Sequence, residues 1–264
     1  VKTRDLLDGL RLGDAHLGGL RCLRLFRVED STFASLVEDV DRFCVEHRPS
    51  RIADASHVTN WAHERGEIFH YSLLTASGRA DDFARDHDLS SAGKWFFDQA
   101  AYPMLGQLIA AWPDLVNFRV NVLSPGSALA PHEEHVPFRT VTGSVGARVR
   151  FHLPVHTNQD AVLNLDGDLF RLEPGVVCLV NHGCVHAARN RGTAPRVHLV
   201  WDALLTGRLA EFLLGQTVHR PSFLQCVEVP DADPVGSEEL DAHRRLTPSV
   251  SPDEVSSLAV CEPQ

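Results

Sequence analysis

Glu173–Asp202 reads EPGVVCLVNHGCVHAARNRGTAPRVHLVWD. Two β-rich runs, Gly175–Asn181 and Pro195–Asp202, flank a polar stretch that holds His182 and His186, and an EPG turn opens it. Short runs of branched and aromatic residues bounded by Pro-Gly and Asn clusters read as strands. The same pattern recurs upstream in VNFRVNVL (116–123), ARVRFHLPV (147–155), AVLNL (161–165) and DLFRL (168–172). SPGS (124–127) and LDGD (165–168) separate these runs, and LDGD reads as a tight hairpin. Gly126 and Gly175 are turn residues. Several short strands at this spacing predict a mainly β fold with flanking helices. Its core, over 116–202, is a sandwich or jelly roll whose mouth can hold a metal and a small ligand.

Outward from that core, residues 1–115 read as mixed but mainly helical, packed on the core. LRCLRLF (20–26) alternates like a strand. In FASLVEDVDRFCVEH (33–47), Phe33, Leu36, Val37, Val40, Phe43 and Cys44 fall on one helical face, with Asp30 or Ser31 as N-cap. Ser90 or Ser91 is expected to cap a second helix through 94–112, kinked or split at Pro103. After Asp202, ALLTGRLAEFLLGQ (203–216) predicts a helix, followed by a Pro- and acid-rich tail or lid to residue 264. The three regions form one structural domain.

The chain has 264 residues, is 44% hydrophobic and carries a formal net charge of −10. That size supports one large core. The acidic balance argues against a nucleic-acid binder or a membrane-surface protein. No apolar run approaches the ~18 residues of a membrane span. The first twenty residues carry charges throughout, unlike a signal peptide. The chain starts without Met, as expected of numbering that begins inside a longer chain or after trimming. Cys22, Cys44, Cys178, Cys184, Cys226 and Cys261 form no CxxC pair and read as reduced thiols in a cytoplasmic protein.

Histidine is abundant, at fifteen, and clusters between His132 and His198. In PHEEHVPFR (131–139), an extended strand points His132 and Glu134 to one face, and Glu133 and His135 to the other. His186 is the candidate third ligand. Two histidines and one carboxylate form the facial triad of non-haem Fe(II) oxygenases, which leaves positions for a cosubstrate and O2. Arg196 follows His186 by ten residues, on the next strand. A buried arginine there can grip a carboxylate, as binding of 2-oxoglutarate requires.

Over about 117–202 the chain resembles the aspartyl/asparaginyl β-hydroxylase-like Fe(II)/2-oxoglutarate oxygenases, which include bacterial proline hydroxylases. VNVLSPGSALAPH, RVRFHLPVHTN, LEPGVVCLVNHGCVHAARN and APRVHLVWD carry the resemblance, in that order. It implies a double-stranded β-helix, or cupin-like jelly roll. It matches His132 and His186 to the iron-binding histidines, with Glu134 where the proline hydroxylases have aspartate. Some relatives lack this carboxylate, so a two-histidine site is an alternative, and Glu133 is the backup. Arg196 matches the residue that grips the distal carboxylate of 2-oxoglutarate, Asn121 a small polar partner to it, and His152 a histidine beside it. Arg119, Arg148 and Arg150 line the matching strands and suit an acidic group of the substrate. The resemblance implies a small-molecule or peptide substrate, an amino acid that is free, peptide-borne or carrier-tethered, in bacterial specialised metabolism.

Plainer readings stand beside these. His152 and His198 also read as ordinary strand histidines, Arg148 and Arg150 as solvent-facing, and His135, His156 and His182 as bystanders. A cupin-like enzyme without 2-oxoglutarate would keep the histidines and have no use for Arg196. A non-catalytic β-sandwich would need no metal. Asn60-Trp61, EIFHYSLL (67–74) and Trp95–Phe97 offer aromatic walls for a pocket.

Overall fold

The computed structural model describes residues 20–51, 67–75, 77–82, 98–134, 137–139, 145–215, 220–229, 231–240 and 244–245. Ser90, Ser91, Asn60, Trp61, Trp95–Phe97 and His135 lie outside them, as does the side chain of Glu133. In chain order the elements begin with strand β1 (Cys22–Val28), helix α1 (Asp30–Glu46), strands β2 (Ser50–Arg51) and β3 (Ile68–Ser72), and helix α2 (Pro103–Ala111). The core strands follow: β4 (Leu115–Leu123), β5 (Ser127–Glu133), β6 (Pro137–Arg139), β7 (Val145–His156), β8 (Ala161–Leu165), β9 (Asp168–Phe170), β10 (Val176–Val180), β11 (His186–Asn190) and β12 (Arg196–Leu204). Helix α3 (Gly207–Leu213) and strands β13 (Leu224–Cys226), β14 (Gly236–Ser237) and β15 (Arg244–Arg245) complete the described chain.

Two sheets face each other. The larger runs β13-β1-β10-β7-β12-β4-β3-β2, with β6 beside β7, and the smaller runs β14-β9-β8-β11-β5-β15. From β4 to β12 the chain crosses back and forth between them, and these strands pair antiparallel. That weave is a jelly roll, and it agrees with the fold expected from the turn-punctuated runs. The LDGD hairpin turns through Asp166 (φ 53°) and Gly167 (φ 95°). Two left-handed residues in a row match the twist of the flanking strands. The N-terminal region contributes β1, β2 and β3 to the larger sheet, so strands from both ends of the chain extend the core.

Period-two alternation sorts the larger sheet's side chains. Val149, Phe151, Leu153, Val197, Leu199 and Trp201 point outward, under Leu36, Val40 and Phe43 of α1, Leu105, Leu108 and Ile109 of α2, and Leu209, Phe212 and Leu213 of α3. Trp201 is fully buried there, stacked on Phe118 at 4.9 Å and edge-on to Trp112 at 4.8 Å. The inner face meets the smaller sheet. One part of that interface is apolar, from Ile68, Leu123, Leu163, Leu165, Phe170, Val176 and Val180. The rest is polar and forms the site described below.

The helices start where their caps allow. Helix α1 is capped by Glu29, and not by Asp30 or Ser31. The longer glutamate arm folds back to accept from the amides of Ser31 (3.1 Å) and Thr32 (2.9 Å). Helix α2 begins at Pro103, so this proline opens the helix instead of kinking it. Proline lacks an amide hydrogen that N1 would leave unused, and Asp39 of α1 accepts from the amides of Met104 (2.7 Å) and Leu105 (3.1 Å). Helix α3 starts at Gly207 and not at Ala203. Ala203 and Leu204 still pair with Val149 and Arg148, and the Thr206 hydroxyl caps Leu209 at 3.1 Å.

Two outcomes test these placements. Trp201→Ala should cost about 3–5 kcal/mol in urea unfolding, the usual cost of emptying a packed tryptophan site. At Glu29 the Ser31 hydroxyl, then the Thr32 and Ser31 amides, pull the carboxyl from 4.5 down to about 2. A depressed carboxyl contributes stability that is complete above its unfolded value and lost as pH falls through the folded one. The Tm difference between wild type and Glu29→Gln should be constant above about pH 4.5 and vanish toward about pH 2.

Candidate metal centre

Strand β12 lies between β4 and β7, and register fixes what meets inside the barrel. Asn121 sits opposite His198 and His70, Arg119 opposite Val200 and Ser72, and Asn117 opposite Asp202. On the other side of β12, Asp202 sits opposite Arg150, and Val200 opposite His152. Each of these rows therefore carries polar groups across several strands of one face. Strands are built for this, since residues two apart share a face. Arg148 and Arg150 belong to the inner row, so their side chains, 13% and 10% exposed, do not face solvent.

The smaller sheet supplies the histidines. His186 of β11 pairs across from His132 of β5, with ring centroids 4.1 Å apart. Each ring is oriented by its own strand. His132 Nδ1 meets the Ala130 carbonyl at 2.7 Å, and His186 Nδ1 meets that of Cys184 at 2.9 Å. A carbonyl can only accept, so Nδ1 carries the hydrogen and the lone pair is on Nε2 in both rings. Burial holds both imidazoles below their ordinary value, His186 strongly so. Neutral imidazole is the form that binds a metal.

Glu134 follows the end of β5, and its amide donates to the His182 carbonyl at 3.1 Å. Its Oε1 lies 3.9 Å from His132 Nε2. One ligand atom each from His132, Glu134 and His186 fall within 4.8 Å of one another. Two Nε2 lone pairs and a carboxylate make a donor set suited to a divalent first-row cation.

The carboxylate is not alone. Arg150 donates Nη1 to Glu134 Oε1 (2.5 Å) and Nη2 to Oε2 (2.8 Å). It also donates Nε to Asp202 Oδ1 (2.7 Å) and Nη2 to Oδ2 (2.9 Å). Arg148 Nη2 adds a bond to Glu134 Oε2 at 2.9 Å. Burial alone would raise both carboxyls, but the two guanidiniums outweigh it and hold Glu134 and Asp202 well below the carboxylate range. His182 lies among these charges, and burial, reinforced by Arg150 and Arg148, pushes its imidazole down to about 3.

A second cation sits apart. Arg196 is 5% exposed, and burial alone pulls its guanidinium down to about 9. No carboxylate offsets that burial among the described residues. Beside it, His198 Nε2 and Asn121 Oδ1 are buried without a hydrogen-bond partner there. His152 meets His198 Nδ1 to Nδ1 at 3.5 Å. Burial, then the charges of Arg196 and Arg150, keep His152 well below its ordinary value, so it senses both ends of the inner face. Arg196, and His198 where Nε2 carries its hydrogen, are donors that an entering anion would satisfy, whereas Asn121 Oδ1 accepts and calls for a donor.

Residues 87–205 match the family model described as Aspartyl/Asparaginyl beta-hydroxylase. Over that segment the chain is similar to the aspartyl/asparaginyl β-hydroxylase family. The matched segment takes in α2 and every strand from β4 to β12, and so the residues of the centre described above apart from His70 and Ser72 of β3. No curated protein sequence matches the chain. Among solved structures it is similar to the α-ketoglutarate-dependent epimerase SnoN from nogalamycin biosynthesis. That likeness has 12% identity and TM-score 0.44, covering 85% of this chain and 97% of SnoN. It is also similar to a prolyl hydroxylase from Trichoplax adhaerens, with 11% identity and TM-score 0.42, covering 76% and 90%. A third is HygX from Streptomyces hygroscopicus, solved with nickel and 2-oxoglutarate, with 12% identity and TM-score 0.40, covering 81% and 93%. These likenesses are distant, and the chemistry of the matched segment rests on its own side chains.

Of the residues singled out in the sequence, the fold gathers His132, Glu134, His186, Arg148 and Arg150 at one end, and Arg196, Asn121 and His152 at the other. Arg119 lies on the same inner face, one row from each of Asn121 and Asn117. His156 does not join them; it is surface-bound to Asp41 at 2.7 Å. Asp202, His198 and His182 are additions to the centre. The alternation of PRVHLVWD carried the signal for two of them, since it puts Asp202 and His198 on the face of Arg196. No spacing rule pointed to His182, which enters through the turn between β10 and β11.

An arginine buried without a counter-charge destabilises the fold that holds it. Arg196→Met should therefore raise Tm in the absence of added ligands, by the few degrees that about 1 kcal/mol gives a domain of this size. Thermal melts of the two proteins side by side measure this. A lower Tm would mean that a counter-charge already holds Arg196.

Proposed function

We propose that this chain is an Fe(II)/2-oxoglutarate-dependent dioxygenase that hydroxylates an unactivated C–H bond of an amino acid, free, peptide-borne or carrier-tethered. The observation that carries it is Arg196, a buried cation with no carboxylate partner among the described residues, inside the barrel that also holds a His-Glu-His donor set. A metal enzyme with no dicarboxylate cosubstrate has no need of that cation, nor has a non-catalytic sandwich.

In this reading His132, Glu134 and His186 hold Fe(II) through Nε2, a carboxylate oxygen and Nε2. Iron with 2-oxoglutarate and O2 supplies the oxidising power for C–H hydroxylation. The chain's own residues do the rest. Arg196 grips the far carboxylate of 2-oxoglutarate bidentately, with His198 and Asn121 offering polar groups beside it. His152, neutral and buried, packs between the two ends. The Ala130 and Cys184 carbonyls keep both ligand rings in the tautomer that presents Nε2. These groups are buried, so charges among them act more strongly than they would in water. Arg119, Arg148 and Arg150 on the inner face suit a substrate that bears a carboxylate, although four of Arg150's five N–H bonds already go to Glu134 and Asp202. The setting we propose is cytoplasmic, in bacterial specialised metabolism. No helix among the described residues is long and apolar enough to cross a membrane.

Anaerobic titration with Fe(II) and then 2-oxoglutarate tests this. Wild type should develop the weak visible charge-transfer band of chelated 2-oxoglutarate. His186→Ala should lose it. Arg196→Ala should need far more 2-oxoglutarate to reach it, by the 2–5 kcal/mol that a buried charge pair carries. Iron binding with no band would favour a cupin-like enzyme without 2-oxoglutarate, and no iron binding would favour a binding module.

A further inference from the structure

A glutamate ligand has three rotatable side-chain bonds, and fixing such a chain costs up to about 1.5–2 kcal/mol of rotamer freedom. Something must hold it. Here a continuous series of bonds runs across the barrel to Glu134. Asn117 Nδ2 donates to Asp202 Oδ2 at 2.8 Å, and the Asp202 amide donates back to Asn117 Oδ1 at 3.0 Å. Asp202 takes Nε and Nη2 of Arg150, and Arg150 presents Nη1 and Nη2 to the two oxygens of Glu134. Asn117, Asp202 and Arg150 are neighbours in one row of β4, β12 and β7, and Asn117 and Asp202 are fully buried. Three paired strands of the larger sheet thus reach over to orient one carboxylate beside the smaller sheet.

Resting on the reading that His132, Glu134 and His186 hold a metal, we infer that Arg150 and Asp202 are positioning residues of that centre, fixing the plane of the Glu134 carboxylate and setting its strength as a ligand. A purely structural role fits the molecule less well. Buried ion pairs are often no more stabilising than apolar groups of the same volume, and the neighbouring part of the same interface is filled with Leu163, Leu165, Val176 and Val180 instead. The charges are placed where a candidate ligand needs them. The arrangement also has a direction. Guanidinium bonds draw electron density away from the carboxylate, and Asp202 limits this by sharing Arg150. The present separation of 3.9 Å between Glu134 Oε1 and His132 Nε2 is within about 1 Å of the roughly 3 Å between two donors on one ion, so Arg150 holds the carboxylate beside the ligand histidine. Arg150 then leans on Glu134 more heavily if Asp202 is neutralised.

The test is anaerobic titration of the full chain with cobalt(II) chloride alone, read by its d–d absorption, for wild type, Asp202→Asn and Arg150→Lys. Circular dichroism and thermal melts establish that each variant folds. Loss of the outer support of a metal ligand commonly weakens binding about 10–100-fold. Both variants should weaken cobalt binding by that factor, and Arg150→Lys, which keeps the charge but not the fork, should also alter the band pattern. Folded variants that bind cobalt with wild-type affinity and wild-type bands would overturn the inference, even with a lowered Tm, and would leave the proposed function standing. The isosteric Asp202→Asn decides alone if Arg150→Lys does not fold. Absence of cobalt binding by wild type would remove both the proposed metal centre and this inference.

Discussion

Strand β12 is held by backbone pairing along both sides, to β4 and to β7. Everything at the centre depends on that seat. With two flanking strands in register, β12 cannot slip by a residue without turning every side chain to the opposite face. Its outward residues, Val197, Leu199 and Trp201, are packed under the helices. Its inward residues are Arg196, His198, Val200 and Asp202. Burying a large apolar side chain contributes about 1.5–3 kcal/mol, while burying polar groups is unfavourable unless they are paired. The outward half of the strand therefore offsets the inward half. The same alternation that builds the core delivers an arginine, a histidine and an aspartate to the barrel interior.

The interior handles buried charge in two ways. At one end Arg148 and Arg150 alternate with Glu134 and Asp202, and the acids and bases satisfy one another. At the other end, among the described residues, Arg196 has neutral histidines and an amide beside it and no carboxylate. The first arrangement is closed and rigid; the second is complete only when something anionic enters. A protein under selection for stability alone would not keep the second. That contrast on one inner face says more about function than either cluster would alone.

Much of this could be read from the sequence, for definable reasons. A Pro-Gly turn and a run of branched residues need no distant partner to be recognised, so the strands of 116–202 and the Asp-Gly hairpin were legible. Likewise, His132 and Glu134 two apart, and Arg196 ten after His186, are local patterns. What escaped was whatever depended on a partner remote in sequence. Asp39 caps a helix more than sixty residues away, which is why Pro103 looked like a break instead of a beginning. Glu29 outcompetes Asp30 and Ser31 as a cap because its arm is long enough to fold back, a matter of geometry that preference scales do not carry. Arg148 and Arg150 alternate with Val149 in a way that fits either face, and only the β7–β12 register shows them turned inward to Asp202.

Both sheets finish on very short strands. On the described residues, β2, β14 and β15 have two residues each and β13 has three. An exposed strand edge is a template on which another chain can add a strand, and long flat edges are where such growth begins. Here the long strands, β7 and β12 among them, are all interior to their sheets. Among the described residues each outermost strand offers a neighbouring molecule two or three residues of open backbone, a short template for a shared sheet. The brevity of its outermost strands is thus one device by which the jelly roll shortens the template it offers to another chain.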